Sequence, residues 1–442
     1  KYTLENLIDW LRVNNTVRNA GIEEHPMLMI DDEADNASVN TGKEDEDPKT
    51  INKLIRQILS KCKRASYVAY TATPFANIFI DPDSAGDKDD TQDLFPRDFM
   101  FVLQIASNYC GAKYYFGDEE NSERINQSID TEAAKSCLPL IHKNDVEVNC
   151  LPNDCEEAIA TYFVACAIKK IRRERYGEIR KPYDSMLINM SRLQIVQNDI
   201  KPLVEIEVKS LYSAVRQNAG YEDGHKRSDN FKKIYDAWIK HYASCPEGWA
   251  QVRNALLEVP RPDVIVIHGD SPDELNYEEG TPNKIVIGGL KLSRGLTLDG
   301  LVVSYFYRRS VMADAMLQMG RWFGYHDGYK DLLKLWLTPE SLTWYEHTVT
   351  AVDDLKSQIA DMIRKKRTPK DYAMRVRDSE TALIITALNK MRTANEFYVD
   401  VGFSDRTMQT VFVDSREEVI QGNFDCFEDF IEEIKDYRYL GE

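Results

Sequence analysis

Residues 27–35, Met-Leu-Met-Ile-Asp-Asp-Glu-Ala-Asp, constrain what this chain can fold into more than any other stretch. Four apolar residues suit a short buried strand, and four carboxylates follow within five positions: Asp31, Asp32, Glu33 and Asp35. Open α/β sheets place their chemistry outside the carboxyl ends of their strands. A strand ending there in Asp-Glu can hold the magnesium of a nucleoside triphosphate and orient the attacking water. The plainer reading is a strand that runs into an acidic, solvated loop. The words that follow downstream decide for the first reading.

Leu4, Leu7, Ile8, Leu11 and Val17 recur near helical spacing, so residues 3–20 are predicted to form an amphipathic helix before the acidic strand. After a polar loop, Ile51, Leu54, Ile55, Ile58 and Leu59 predict a second helix over about 50–62. The run Ser66-Tyr67-Val68-Ala69-Tyr70 predicts a strand that breaks at Thr71-Ala72-Thr73-Pro74. Strand, helix, strand is the pattern of a parallel, doubly wound sheet. The second strand therefore ends at the same edge as Asp32 and Glu33. Thr71 and Thr73 can hydrogen-bond the carboxylates there and relay the state of a nucleotide. Residues 99–105 are predicted to be a further strand, and the polar stretch 106–150 an insertion or connection.

A second α/β unit is predicted from about residue 151. Residues 185–191, 263–268, 284–287, 301–306 and 332–337 read as strands between helical stretches. The strand at 284–287 runs into Gly288-Gly289-Leu290-Lys291-Leu292-Ser293-Arg294-Gly295. Paired glycines there permit close approach of the backbone to a ligand. Further on stands Gln318-Met319-Gly320-Arg321-Trp322-Phe323-Gly324-Tyr325. Gln318 and Arg321 can reach across a cleft to a triphosphate, where a guanidinium offsets charge on the transferring phosphoryl group. Trp322 and Phe323 read as ordinary core. The tail carries an acidic last helix with Glu428, Asp429, Glu432 and Glu433.

In their order, Asp-Glu-Ala-Asp, Thr-Ala-Thr, Gly-Gly with Ser-Arg-Gly, and Gln-x-Gly-Arg resemble motifs II, III, V and VI of superfamily-two helicases. More closely, the stretches at 30–35, 70–77, 94–99, 292–297 and 318–325 resemble the Z1 domain family, whose label is putative endonuclease. The resemblance implies an α/β chain with two RecA-like parallel-sheet lobes, the first incomplete, and a small α+β C-terminal region. The implied divisions are 1–105 for the first lobe, 106–150 for the connection, 151–345 for the second lobe and 346–442 for the C-terminal region. It further implies a bacterial, helicase-like, DNA-dependent ATPase linked to restriction or phage defence, with ATP and magnesium as cofactors. DNA is the implied partner, with MutL-like ATPases or nuclease-type proteins as associates. By motif match, Asp32 binds magnesium, Glu33 polarises water and Arg321 is the arginine finger. Thr71, Thr73, Gly288, Gly289, Arg294, Gly295 and Gln318 handle or couple the nucleotide.

Three positions depart from the helicase pattern. The chain has no GxxxxGK[ST] loop, so the phosphate cradle is expected upstream of Lys1. Gly324 stands where a further arginine is usual, and Thr297 where many helicases have aspartate. Two other functions compete. One is a magnesium-dependent DNA endonuclease using Asp31, Asp32, Glu33 and Asp35. The other is a non-catalytic scaffold that binds a partner ATPase.

Composition sets the outer bounds. Of 442 residues, 56 are Lys or Arg and 73 are Asp or Glu, for a formal charge of −17. Such a balance excludes a nucleic-acid coat protein and leaves local basic patches as the route to DNA. The run Lys169, Lys170, Arg172, Arg173, Arg175, Arg180 and Lys181 is either a solvated helix end or a phosphate-backbone contact. Eight scattered cysteines, with no CxxC, predict neither a zinc site nor a disulfide framework and fit a reducing cytoplasm. No apolar run approaches the length of a membrane span. The first residue, Lys1, reads as a cut start rather than a signal peptide.

Overall fold

The computed structural model describes residues 1–17, 24–40, 49–80, 93–177, 179, 181–268, 275–289, 297–309, 312–372 and 417–435. The chain divides into two compact units, Lys1–Thr393 and Ala394–Glu442. The architecture is mixed α/β.

The first unit opens with helix α1 (Tyr2–Arg12), extended by a wider turn over Val13–Val17, and then strand β1 (Met27–Asp32). Helix α2 (Thr50–Ser60) buries Leu54, Ile55 and Ile58, the stripe its spacing predicts. Strand β2 (Ala65–Tyr70) pairs in parallel with β1, so that Asp31 lies beside Ala69 and Asp32 beside Tyr70. The two strands thus end at one edge. A short helix, α3 (Phe75–Ile78), follows directly.

Residues 99–105 do not form the expected strand. The alternation is present, with Phe99, Phe101 and Leu103 outward and Met100 and Val102 packed on a small core. Among the described residues no neighbouring strand takes up the backbone hydrogen bonds, and alternation alone does not make a ladder. The connecting stretch is more structured than its polarity suggests. It holds β3 (Tyr109–Cys110), α4 (Ala112–Phe116), α5 (Glu119–Ile125), β4 (Asn126–Ser128) and α6 (Thr131–Lys135). Cys137 and Cys150 form a disulfide, which corrects the expectation that none would be found.

The main core follows. Helix α7 (Asn153–Tyr176) has Asp154 and Glu156 in its first turn and Arg173 and Arg175 in its last, matched to the helix dipole. Gly177, at φ 66°, ends it in the left-handed conformation that glycine adopts without strain. Next come β5 (Asp184–Asn189), α8 (Gln194–Asn218), α9 (Asp229–Tyr242), α10 (Trp249–Leu256), β6 (Asp263–Ile267), β7 (Asn283–Gly288) and β8 (Leu301–Phe306). Then come α11 (Ala313–Met319), β9 (Gly324–Tyr325), β10 (Lys334–Leu337) and α12 (Pro339–Arg364). Six strands form one parallel sheet in the order β4-β10-β8-β5-β7-β6. Every residue of β5, β7 and β8 is buried, because α7 packs on β5 and β8 while α8 packs on β6 and β7. That two-sided burial is why these strands read as continuous apolar runs rather than alternating ones.

Helix α12 runs unbroken past residue 345. Its residues Ala351, Leu355, Ile359 and Met362 enclose Phe75, which ties the region of the first sheet to this helix. No helix among the described residues is long and apolar enough to cross a membrane. In the second unit the described residues form one helix, α13 (Glu417–Lys435).

Candidate functional site

The acidic word after β1 does not fan into one cluster. Asp31 accepts a hydrogen bond from the Tyr67 hydroxyl at 2.6 Å. Burial, with that bond second, pushes the Tyr67 phenol well above its usual range. Asp32 lies exposed at the strand end, where its Oδ1 accepts from the backbone N–H of Glu33 at 3.0 Å. Glu33 adopts φ 54°, a left-handed conformation that costs energy for a residue with a Cβ and that turns the chain sharply. Ala34 is buried, its N–H held by the Tyr70 carbonyl at 3.1 Å.

Asp35 is the hub. It is only 2% exposed. Its Oδ1 accepts from Thr71 Oγ1 at 2.8 Å, and its Oδ2 accepts from Thr73 Oγ1 at 3.0 Å and from Gln318 Nε2 at 3.1 Å. Thr71 Oγ1 also accepts the N–H of Thr73 at 3.0 Å, which fixes the turn. A buried carboxylate needs such donors to offset its lost hydration. This one takes them from two stretches of chain, one of them 283 residues away.

Arg321 follows α11, on the same turn as Gln318. Burial lowers its guanidinium pKa, and the carboxylate of Glu33 opposes that shift. Glu33, Ala72, Gln318 and Arg321 together line one groove of about 1660 Å³. Gly320 makes the turn possible, since a Cβ there would come within 2.3 Å of the Phe323 ring. Phe323 and Trp322 pack against Tyr115, Phe116, Phe306 and Tyr345, so both aromatics are core, as their composition suggests.

The structure thus brings Glu33, Thr71, Thr73, Gln318 and Arg321 together, whereas Asp32, next to Glu33 in the chain, lines a separate hollow of about 560 Å³ with Asp31, Ile30 and Ile55. Gly288 and Gly289 lie elsewhere, at the carboxyl edge of the six-stranded sheet. A Cβ on Gly289 would meet Gln197 Nε2 at 2.6 Å and the Ser191 carbonyl at 3.1 Å, so close packing on that turn already requires glycine there. Arg294 and Gly295 lie outside the described residues. Sequence reasoning gave Asp35 a role only in the competing nuclease reading, as one of four magnesium-binding acids, and not as the acceptor of Thr71, Thr73 and Gln318. Its place four residues after Asp31, pointing back under two threonines, was the available signal. Tyr109 and Tyr325, further along the groove, were also not singled out.

The basic run of α7 ends in the dipole-matched turn expected of it, with Arg173 and Arg175, but most of its charges are paired within the chain instead of solvated. Lys169, 0% exposed, sits 2.6 Å from Asp184 and lies 3.9 Å from the centre of the Tyr329 ring. Arg173 also pairs with Asp184. Arg172 reaches Glu247 at 3.0 Å and Asp331 at 2.6 Å. Lys170 pairs with Glu258 at 3.0 Å and Lys181 with Asp299 at 2.8 Å. Arg180 lies outside the described residues. Among the described residues, no three His, Cys, Asp or Glu side chains are grouped to hold a metal ion.

No curated protein and no solved structure matches the chain. The model of the Z1 domain family matches residues 154–383, which include the six-stranded sheet apart from its edge strand β4, together with Gln318 and Arg321. That span is somewhat more than half of the 442 residues, and the chain belongs to the Z1 domain family.

Proposed function

We propose that this chain carries the hydrolytic core of a nucleic-acid-dependent ATPase of helicase type, with the two parallel sheets as its RecA-like lobes. One observation carries the reading: the Asp35 carboxylate joins the Asp-Glu-Ala-Asp turn, both threonines of Thr-Ala-Thr and Gln318 of the Gln-x-Gly-Arg turn. Three stretches with no sequence proximity meet around one buried acid, beside Glu33 and Arg321. On this reading Asp32 holds magnesium through water, Glu33 orients the attacking water, and Arg321 offsets charge on the transferring phosphoryl group. The Asp35 bridge reports the state of the nucleotide from one lobe to the other.

The donor set suits a nucleotide-bound magnesium. Such an ion takes one or two carboxylates and fills its octahedron with phosphate oxygens and water. A metal-dependent nuclease would ask several carboxylates to converge, whereas Asp31 is held by Tyr67 and Asp35 by Thr71, Thr73 and Gln318. Among the described residues β2 pairs only with β1.

The test is ATP turnover by the full-length polypeptide with magnesium and DNA. Glu33→Gln should lower kcat by about 10² to 10⁴, and Arg321→Ala by roughly 10³ or more. Equal turnover by wild type and Glu33→Gln would overturn the assignment.

A further inference from the structure

The groove that holds Glu33 and Arg321 does not end there. It continues along the turn after Arg321 to Tyr325, Tyr109, Asn108 and Asp327. At about 1660 Å³ it exceeds the roughly 300–1,000 Å³ of most small-molecule sites, so a triphosphate fills one part and leaves the rest open. Its lining carries six lysines and arginines against four carboxylates, in a chain whose total is −17. Lys169 is neutralised by buried Asp184, Lys181 by Asp299 and Lys113 by Asp353, so the cation placed at the Glu33 end is Arg321.

Within it, β3 and β9 pair antiparallel, with Tyr109 directly opposite Tyr325. The rings stand 5.2 Å apart at 71°. A perpendicular pair leaves ring faces uncovered, and Tyr325 is 59% exposed although its backbone is fixed in a ladder. Such a ring is a preorganised stacking surface, with little ordering cost left on binding. Beside it, Asn108 Nδ2 donates to Asp327 Oδ1 at 3.3 Å, and both residues line the groove. An amide and a carboxylate offer the donor and acceptor that the polar edge of a nucleobase requires. Tyr325 stands four positions after Arg321, a reach of at most about 14 Å. That is the scale of a nucleoside triphosphate from its last phosphorus to its base.

We propose that Tyr325, braced by Tyr109, is the platform on which the base of the bound nucleotide stacks, with Asn108 and Asp327 facing the base edge. The proposal rests on the reading that a triphosphate occupies the Glu33–Arg321 end. Base stacking on an aromatic side chain is sequence-tolerant, so the platform takes any base. The Asp327 carboxylate favours those with an exocyclic amine, which adenine and guanine have and uracil lacks.

The experiment is equilibrium binding by the full-length polypeptide, with magnesium, of a nonhydrolysable ATP analogue, the matching UTP analogue and inorganic tripolyphosphate. The ATP analogue should bind roughly tenfold tighter than tripolyphosphate. Tyr325→Ala should bring the two within about twofold by weakening only the analogue, and Tyr325→Phe should keep the gap. Unchanged tripolyphosphate affinity in Tyr325→Ala shows that the fold and the phosphate end are intact. Asp327→Ala should remove the preference for the ATP over the UTP analogue. A gap that survives Tyr325→Ala overturns the platform and leaves the phosphate site standing. Affinities for both ligands that do not change in Arg321→Ala overturn the phosphate site itself. No binding of either ligand overturns both.

Discussion

The two parallel sheets of this chain differ in how they are covered. In the six-stranded sheet, β5, β7 and β8 are buried at every position. In the two-stranded sheet, β1 alternates, and the side chains turned outward are Leu28 and Ile30, 61% and 62% exposed. Parallel sheets are ordinarily covered on both faces, so the first sheet presents one apolar face that the described residues leave open. Asp32 and Glu33 stand on the less covered of the two sheets. What fastens that sheet is small and specific: Phe75 in the α12 pocket, and the Asp35 carboxylate shared with Gln318. The stable half of the molecule supplies Arg321 and the frame, and the less covered half supplies Asp32 and Glu33. A site made this way depends on the contacts between the halves as much as on either sheet.

That contrast can be broken from either side. Asp184→Ala strips the carboxylate from Lys169 and Arg173 inside the large core, leaving a fully buried cation unpaired. The expected loss is about 3 to 5 kcal/mol in urea unfolding, a large share of a domain's net stability. Phe75→Ala empties the α12 pocket, at a cost of about 3 kcal/mol or more. Here the damage should be local: hydrogen exchange should rise over residues 27–80 while the amides of β5 to β8 stay protected. Uniform loss of protection would mean that the two sheets unfold as one.

A third change is read by pH. Burial holds the His326 imidazole down at about 4, from its usual 6.5, with the Trp322 carbonyl opposing the shift. The unfolded chain therefore takes up this proton near 6.5, and the folded chain only near 4. Stability from this group is complete above 6.5 and is lost as pH falls through that window, by up to about 3 kcal/mol. In urea titrations across that range, His326→Gln should show a smaller drop than wild type. An equal drop would assign the loss to other groups. The smallest effect is expected at the open face. Leu28→Ser and Ile30→Thr should each change stability by no more than about 0.5 kcal/mol, since neither side chain is buried. A larger effect would show that something covers that face in solution.

Much of the fold was legible in the residues. Continuous apolar runs at 185–189, 284–287 and 301–306 marked strands covered on both faces, and the stripe at 51–59 marked a helix. The strand ends at Asp32 and Thr71 were legible because a parallel pair must finish at one edge. The stretch at 99–105 misled, since its alternation is real but no strand among the described residues completes its ladder. The basic run of α7 misled for a related reason: its carboxylate partners, Asp184, Glu247, Asp299 and Asp331, lie up to 159 positions away.

By itself the sequence determined which residues stand at strand ends and turns, because backbone pattern and side-chain polarity act over a few neighbouring positions. It brought acids, hydroxyls and an arginine to those ends. Only the tertiary structure decided which of them meet. Asp35 turned inward to Thr71, Thr73 and Gln318, Glu33 turned outward to Arg321, and the lysines and arginines of α7 were taken up by distant carboxylates. The physical reason is that a buried charge takes its partner from whatever the packed chain brings within reach, and that choice leaves no local trace in the order of residues.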